Sequence, residues 1–188
     1  MTAITIPELF IATDTWHVDP TRSAIGFRIK HQLIESVWGR FLDFDGQIEP
    51  GATPRFVGSI RVASLVTDHE ERDRILLSAD YFDAQRFPEL HFVSTKIGLG
   101  DVGSLLVAGD LTIKNTTRPT MLEGTFAGTS VDADGRERVG LELRGQLNRL
   151  DFDLAWDRLP ETSSLVVANT IELALDIVAE RARLERAA

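Results

Sequence analysis

The chain contains no cysteine. That removes disulfides, thiolate nucleophiles and cysteine metal sites together, and leaves the redox compartment undecided. Basic residues are few: 20 Lys and Arg stand against 29 Asp and Glu, a formal net charge of −9. A nucleic-acid binder needs a basic footprint to neutralise phosphates, so the balance argues against that class. It argues equally against standing adsorption on an anionic membrane, where each basic residue would contribute about 1 kcal/mol. Long apolar runs are missing too. None approaches the roughly 18 residues of a membrane helix, so no stable membrane insertion is expected. The first basic residue is Arg22, and the short apolar run Leu9 to Ala12 lies between Glu8 and Asp14. This is not the pattern of a secretory signal, and a cytoplasmic location is the resulting expectation.

What the chain does have is alternation. With 188 residues, 43% hydrophobic and 26% charged, it has the composition of one globular domain. Period two, the mark of strands with one apolar face, dominates. Ile25, Phe27, Ile29 and His31 share a face opposite Arg28 and Lys30. Phe56, Ile60 and Val62 alternate with Val57, Ser59 and Arg61 between Arg55 and Ser64. Leu90, Phe92 and Ser94 follow, then Leu105, Val107, Gly109, Leu111 and Ile113. Val139, Leu141, Leu143, Gly145 and Leu147 oppose Glu142, Arg144, Gln146 and Asn148. Ile171, Leu173, Leu175 and Ile177 oppose Thr170, Glu172 and Asp176. With the segments Val37 to Ile48 and Arg118 to Phe126, about eight long strands are expected.

Turns separate them at Glu49-Pro50-Gly51, Gly98-Leu99-Gly100-Asp101 and Asp132-Ala133-Asp134-Gly135. One helix is expected from His69 to Ala79, with Ile75, Leu76 and Ala79 at helical spacing. Its capping box is either Thr67 with Glu70 or Asp68 with Glu71. Glu180 to Ala188 reads as a short exposed helix. There are no repeats and no low-complexity segment. The expected fold is all-β, an eight-stranded antiparallel barrel with one inserted helix, because closure removes exposed strand edges. The expected organisation is an extension over 1–14, the barrel over 15–179 and a charged tail over 180–188.

A barrel of this size is either filled by its own side chains or holds one small ligand. Gly39, Gly58, Gly109 and Gly145 lie in mid-strand on or near the apolar face. They either leave room for a ligand or provide bends that close the barrel, and both can hold at once. The apolar phase places Ile25, Phe27, Ile29, Phe41, Ile60, Val62, Phe92, Leu111, Leu141, Leu143, Leu147, Leu173 and Leu175 on the lumen wall.

Catalytic constellations are sparse. His69, Glu70, Glu71 and Asp73 crowd together, but acidic residues at a helix start suit its dipole and no H-E-x-x-H spacing is present. No metal or cofactor is expected. His17 and Asp19 sit two apart and share a strand face, so they could form a base with its orienter. With His31 they are the residues of a lipid-acting enzyme, the alternative reading. A turn-capping Asp19 before Pro20 is the structural alternative, and no nucleophile elbow or cysteine accompanies the pair. His31 either touches a ligand head group or satisfies a backbone partner. His91 falls on the polar face of its strand. Gly98 to Gly103 matches G-x-G-x-x-G formally, but it separates two strands and opens no helix.

The ordered set of short motifs is specific. Trp16-His17-Val18-Asp19-Pro20 precedes Ser23-Ala24-Ile25-Gly26-Phe27, followed by Lys30-His31 and Gly39-Arg40-Phe41 with Phe44, Gly46 and Ile48. Glu71-Arg72-Asp73, Ser78-Ala79-Asp80-Tyr81-Phe82-Asp83, Phe87-Pro88 and Phe92-Val93-Ser94-Thr95 continue it. Gly109-Asp110-Leu111-Thr112-Ile113, Thr117-Arg118-Pro119 and Asn148-Arg149-Leu150-Asp151-Phe152 complete it. Over about residues 15 to 178 the chain resembles the YceI-like family. The resemblance implies a lipocalin-like barrel around a polyisoprenoid chain, such as a quinone tail or prenyl lipid, and no catalysis. A non-enzymatic carrier of an isoprenoid or other apolar lipid is therefore expected, with a homodimer as an option and a filled structural barrel as a second alternative. The chain departs from the family pattern in three places. Ile75 stands where the family often has His, Lys114-Asn115 where it often has His-Gly, and Asp153 where it has Gly.

Overall fold

The computed structural model describes residues 14–31, 35–51, 53–100, 103–155 and 167–182. Its strands are β1 (Trp16–Val18), β2 (Ala24–His31), β3 (Glu35–Phe41), β4 (Phe44–Glu49), β5 (Arg55–Arg61), β6 (Leu65–Val66), β7 (Glu89–Leu99), β8 (Ser104–Ile113), β9 (Thr116–Val131), β10 (Glu137–Asn148) and β11 (Val167–Arg181). A single helix among the described residues, α1 (Glu70–Leu77), lies between β6 and β7. All pairings are antiparallel, and the series β4-β5-β7-β8-β9-β10-β11 closes through β1, which pairs with both β4 and β11. Beyond β1, β11 pairs with β2, β2 with β3, and β3 with β6. β1 with β2, and β3 with β4, are thus two interrupted staves of one wall. Eight staves close an up-and-down barrel through β1, and the β2-β3-β6 branch ends at β6, just before α1.

The interruptions have local causes. Between β1 and β2, Pro20 offers no N–H to a ladder, and Asp19 Oδ1 accepts from the Thr21 N–H (2.9 Å) and the Thr21 hydroxyl (2.6 Å). Asp19 therefore caps the turn. The segment Val37 to Ile48, expected as one strand, is broken at Leu42 and Asp43. On one side β3 pairs with β2 and β6, and on the other β4 pairs with β1 and β5. Gly98 and Leu99 are the last residues of β7, opposite Leu106 and Leu105 of β8, and the Gly100 N–H donates to Ser104 O (3.0 Å) across the hairpin.

Four expectations are corrected. Val62 is not in a strand. β5 stops pairing with β4 at Ile60–Phe44, the Val62 N–H turns to Pro88 O (2.9 Å), and Val62 opens a 3₁₀ turn. Helix α1 starts later and stops earlier than expected, at Glu70 and Leu77. Neither expected capping box forms. His69 is the N-cap, its Nδ1 accepting from the Arg72 N–H at 3.2 Å. Asp68 adopts φ +58° and pairs with Arg40 instead (3.1 Å), while Thr67 gives its N–H to Asp73 Oδ1 (2.9 Å). Lastly, Glu180 and Arg181 are not helical. They extend β11 opposite His17 and Trp16, held by Arg138 on Glu180 (2.6 Å) and Arg181 on Glu137 (2.7 Å). The rest of that expected helix, from residue 183, lies outside the described residues.

Two apolar clusters form the ends of the barrel. At the hairpin end, Trp16, Ile48, Phe56, Leu105, Val107, Leu122 and Val139 pack together. At the helix end, Phe41, Val62, Leu65, Leu76, Tyr81, Phe82, Phe152 and Leu154 pack under α1. Arg149 is buried there with its guanidinium satisfied by main-chain carbonyls and the Asn169 side chain. It donates to Leu154 O (2.7 Å), Ala168 O (3.1 Å) and Asn169 Oδ1 (3.1 Å), and so ties the 3₁₀ turn after β10 to the start of β11. No described helix is long and apolar enough to cross a membrane.

Candidate functional site

Between the two end clusters lies a cavity of about 480 Å³, within the size range of small-molecule sites. Its wall follows from strand phase: one face of each stave points in, and those faces are apolar. Ile25, Phe27 and Ile29 of β2, Phe41 of β3, Ile60 of β5, Phe92 of β7 and Leu111 of β8 all line it. So do Leu141, Leu143 and Leu147 of β10 and Leu173 and Leu175 of β11. Of the residues placed on the wall by alternation, Val62 alone stands off it, buried in the cluster under α1 for the reason given above. His31 ends β2, and its side chain lies outside the described residues.

Several lining residues carried no alternation signal. His69, Glu71, Arg72 and Ile75 come from α1 and its cap, and Tyr81 and Phe82 from the loop after it. His69 and Glu71 are exposed yet border the cavity, which places its mouth beside the first turn of α1. Val37, Val167, Ile29 and Ile171, which are cross-strand neighbours or near neighbours, also line the cavity. Arg72 is held in place at this mouth, its Nε on Thr67 Oγ1 (2.7 Å) and its Nη2 on Thr67 O (2.7 Å). Thr67 in turn is anchored by Asp73. Ile75 lines the cavity where the family pattern often has His, and the first turn of α1 and its cap add the polar side chains Arg72, His69 and Glu71 to the lining. The other end is a floor. Ile48 and Phe56 face the cavity, and Trp16, Leu105, Val107 and Val139 pack behind them. Trp16 is 1% exposed, and its Nε1 is the buried side-chain polar atom without a hydrogen-bond partner among the described residues.

The glycines divide into two kinds. A Cβ at Gly109 would overlap the Phe92 ring, 2.7 Å from its Cε2 and closer still to its Cζ, and stand 2.6 Å from Val93 O, and one at Gly145 would stand 2.7 Å from Leu122 Cδ2. Gly39 is covered in the same way by the Phe27 ring. These three make room for a neighbouring side chain to lie against the wall, not for a ligand. Gly58 differs, since a Cβ there would meet only Asp45 O, at 3.4 Å.

The expected His17–Asp19 pair does not enter the lumen. His17 is exposed, pointing away from the inward Trp16 and Val18, and Asp19 is occupied by Thr21 and Arg22. The hydrogen bond from Thr21 holds the Asp19 carboxyl below the usual carboxylate range. Neither residue lines the cavity. His91 is exposed and lies 3.5 Å from the Glu89 carboxylate. Burial pushes the Tyr81 phenol up to about 12, with the Arg149 charge opposing it. Among the described residues, no three His, Asp or Glu side chains converge to hold a metal ion.

Residues 16–179 match the family model described as the YceI-like domain. The chain is 35% identical over 152 residues to a UPF0312 protein of Photorhabdus laumondii, covering 79% of each chain. Among solved structures it is similar to the Campylobacter jejuni YCEI protein, with 28% identity and a TM-score of 0.70 over 82% of this chain and 90% of that one. It also shares the fold of a polyisoprenoid binding domain from Saccharophagus degradans implicated in plant cell wall breakdown. There the TM-score is 0.67 at 18% identity, over 89% of this chain and 98% of the other.

Proposed function

The chain belongs to the YceI-like family, and on that premise we propose that its barrel binds a long apolar lipid, a polyisoprenoid such as a quinone tail or prenyl lipid, and carries or sequesters it unchanged. The observation that carries this reading is the cavity of about 480 Å³ enclosed by inward Ile, Leu and Phe side chains. Such a space gains little from water and much from hydrocarbon, since each CH₂ removed from water is worth about 0.8 kcal/mol. Ten such groups give roughly 8 kcal/mol before the costs of association, the scale of micromolar binding. An apolar chain needs no polar contact along its length. The Saccharophagus degradans neighbour, a polyisoprenoid binding domain of the same fold, supports the ligand class. Arg72 and His69 at the mouth suit a polar head group there, with the tail lying toward the Ile48–Phe56 floor.

The filled structural barrel is disfavoured because a cavity of about 480 Å³ remains between the two end clusters. The enzyme reading is disfavoured because His17 and Asp19 lie off the cavity. Thermal unfolding with geranylgeraniol tests the carrier reading. A ligand at 100 times its Kd stabilises by about 2.7 kcal/mol, which raises Tm by roughly 5–11 °C for a domain of this size. A Tm that does not move at saturating prenyl alcohol would sink it.

A further inference from the structure

We infer that Gly58 sets how long a chain the lumen accepts, by leaving the wall open at the last step before the floor. This rests on the carrier reading above. In the β4–β5 ladder, Gly58 faces Gly46, between the Phe44–Ile60 pair and the Ile48–Phe56 pair of the floor. Phe44, Ile48, Phe56 and Ile60 all line the cavity, so the lumen continues past Gly58. On its other side Gly58 faces Phe92 of β7, whose ring could have covered it. That ring instead lies over Gly109 of β8, which has no side chain to keep it away. Gly109 therefore lets Phe92 lean away, and Gly58 is left uncovered. A Cβ at Gly58 has no neighbour closer than Asp45 O at 3.4 Å, whereas at Gly46 it would meet Val57 O at 3.0 Å and Val18 Cγ2 at 3.1 Å. The open space at the deep end of the wall thus belongs to Gly58, and a chain reaching Ile48 and Phe56 passes over it.

The isobutyl group of leucine has four carbons and an isoprene unit has five, so Gly58→Leu fills about the space that one unit occupies. Burial scales with the hydrocarbon removed from water. Wild-type affinity should therefore climb with each added isoprene unit until the chain meets the floor, and the variant should stop climbing at least one unit sooner. The test is a length series of geraniol, farnesol, geranylgeraniol and solanesol, titrated against the wild type, Gly58→Ala, Gly58→Val and Gly58→Leu. Melting temperature is read on each protein. We expect geraniol to bind Gly58→Leu within about twofold of wild type, and the longest chain that wild type accepts to weaken roughly tenfold or more. The effect should be graded from Ala to Leu. Gly58→Ala has room for its methyl and keeps the test valid if the larger variants unfold. Equal weakening at every length, or none at any, overturns the role of Gly58 and leaves the carrier reading standing. A wild type that binds no member of the series overturns both.

Discussion

Replacing glycine by alanine at two points on the same inner wall should move stability in opposite directions. At Gly109 the new methyl would overlap the Phe92 ring at its Cζ and stand 2.6 Å from Val93 O. The ring can swing aside, but the carbonyl belongs to the β7–β8 ladder and shifts only with the strand. Overpacking of this kind costs about 1–3 kcal/mol. For a 188-residue chain each kcal/mol moves Tm by roughly 2–4 °C, so Gly109→Ala should melt about 2–12 °C below the wild type. At Gly58 the same methyl meets one atom at 3.4 Å, an ordinary contact. The substitution also restricts the unfolded chain, worth about 0.4–1 kcal/mol in favour of folding. Gly58→Ala should therefore melt about 1–4 °C above the wild type. Scanning calorimetry of the two variants, with ligand removed, reads both. If Gly109→Ala melts at or above the wild-type temperature, the account of Phe92 lying against Gly109 is wrong.

Other consequences can be measured separately. Leu143→Trp adds bulk to a side chain that lines the cavity; it should abolish prenyl alcohol binding while Tm falls by less than about 4 °C, and a larger loss of stability would indicate a filled core. Arg149→Met leaves Leu154 O, Ala168 O and Asn169 Oδ1 without their charged donor. At about 1–3 kcal/mol for the buried Leu154 O left unsatisfied it should lower Tm by roughly 2–12 °C, with faster amide exchange starting at the beginning of β11; unchanged exchange there would refute the staple. Tyr81 is the chain's one tyrosine, buried and raised to about 12 against about 10 in an unfolded chain. Its contribution is intact below pH 10 and is lost as pH rises from 10 through 12, where the unfolded state has given up the proton and the folded state has not. Absorbance at the phenolate band should stay flat through pH 11 in the folded protein, and a midpoint near 10 without unfolding would contradict the burial.

The barrel was legible because period two survives in every long stave. Ile25-Phe27-Ile29 and Leu141-Leu143 fall on the lumen wall as their alternation predicts. What alternation could not reveal is where a stave breaks. Leu42 and Asp43 interrupt an otherwise continuous pattern, and Val62 keeps the phase of β5 after β5 has stopped pairing. The cap of α1 was hidden for a different reason. Thr67 and Asp68 have the right residue types, but a left-handed Asp68 turns the chain so that the ring of His69 reaches the Arg72 N–H first. The mouth residues His69, Arg72 and Ile75 come from a helix and carry no strand signal. The glycines show the limit most clearly. Gly39, Gly58 and Gly109 look alike in sequence, and only the positions of the Phe27 and Phe92 rings separate the covered from the open. Asp153 supplies a signal that could have been used. The family pattern has glycine there, and the residue takes φ +55°, the left-handed region that glycine enters freely.

Native mass spectrometry of the protein as purified, followed by organic extraction and lipid identification, tests the central claim most directly. The account predicts a folded protein carrying one long apolar chain with an isoprenoid repeat, released on denaturation and absent from Leu143→Trp. A folded protein that comes without lipid and stays empty when incubated with geranylgeraniol would contradict it.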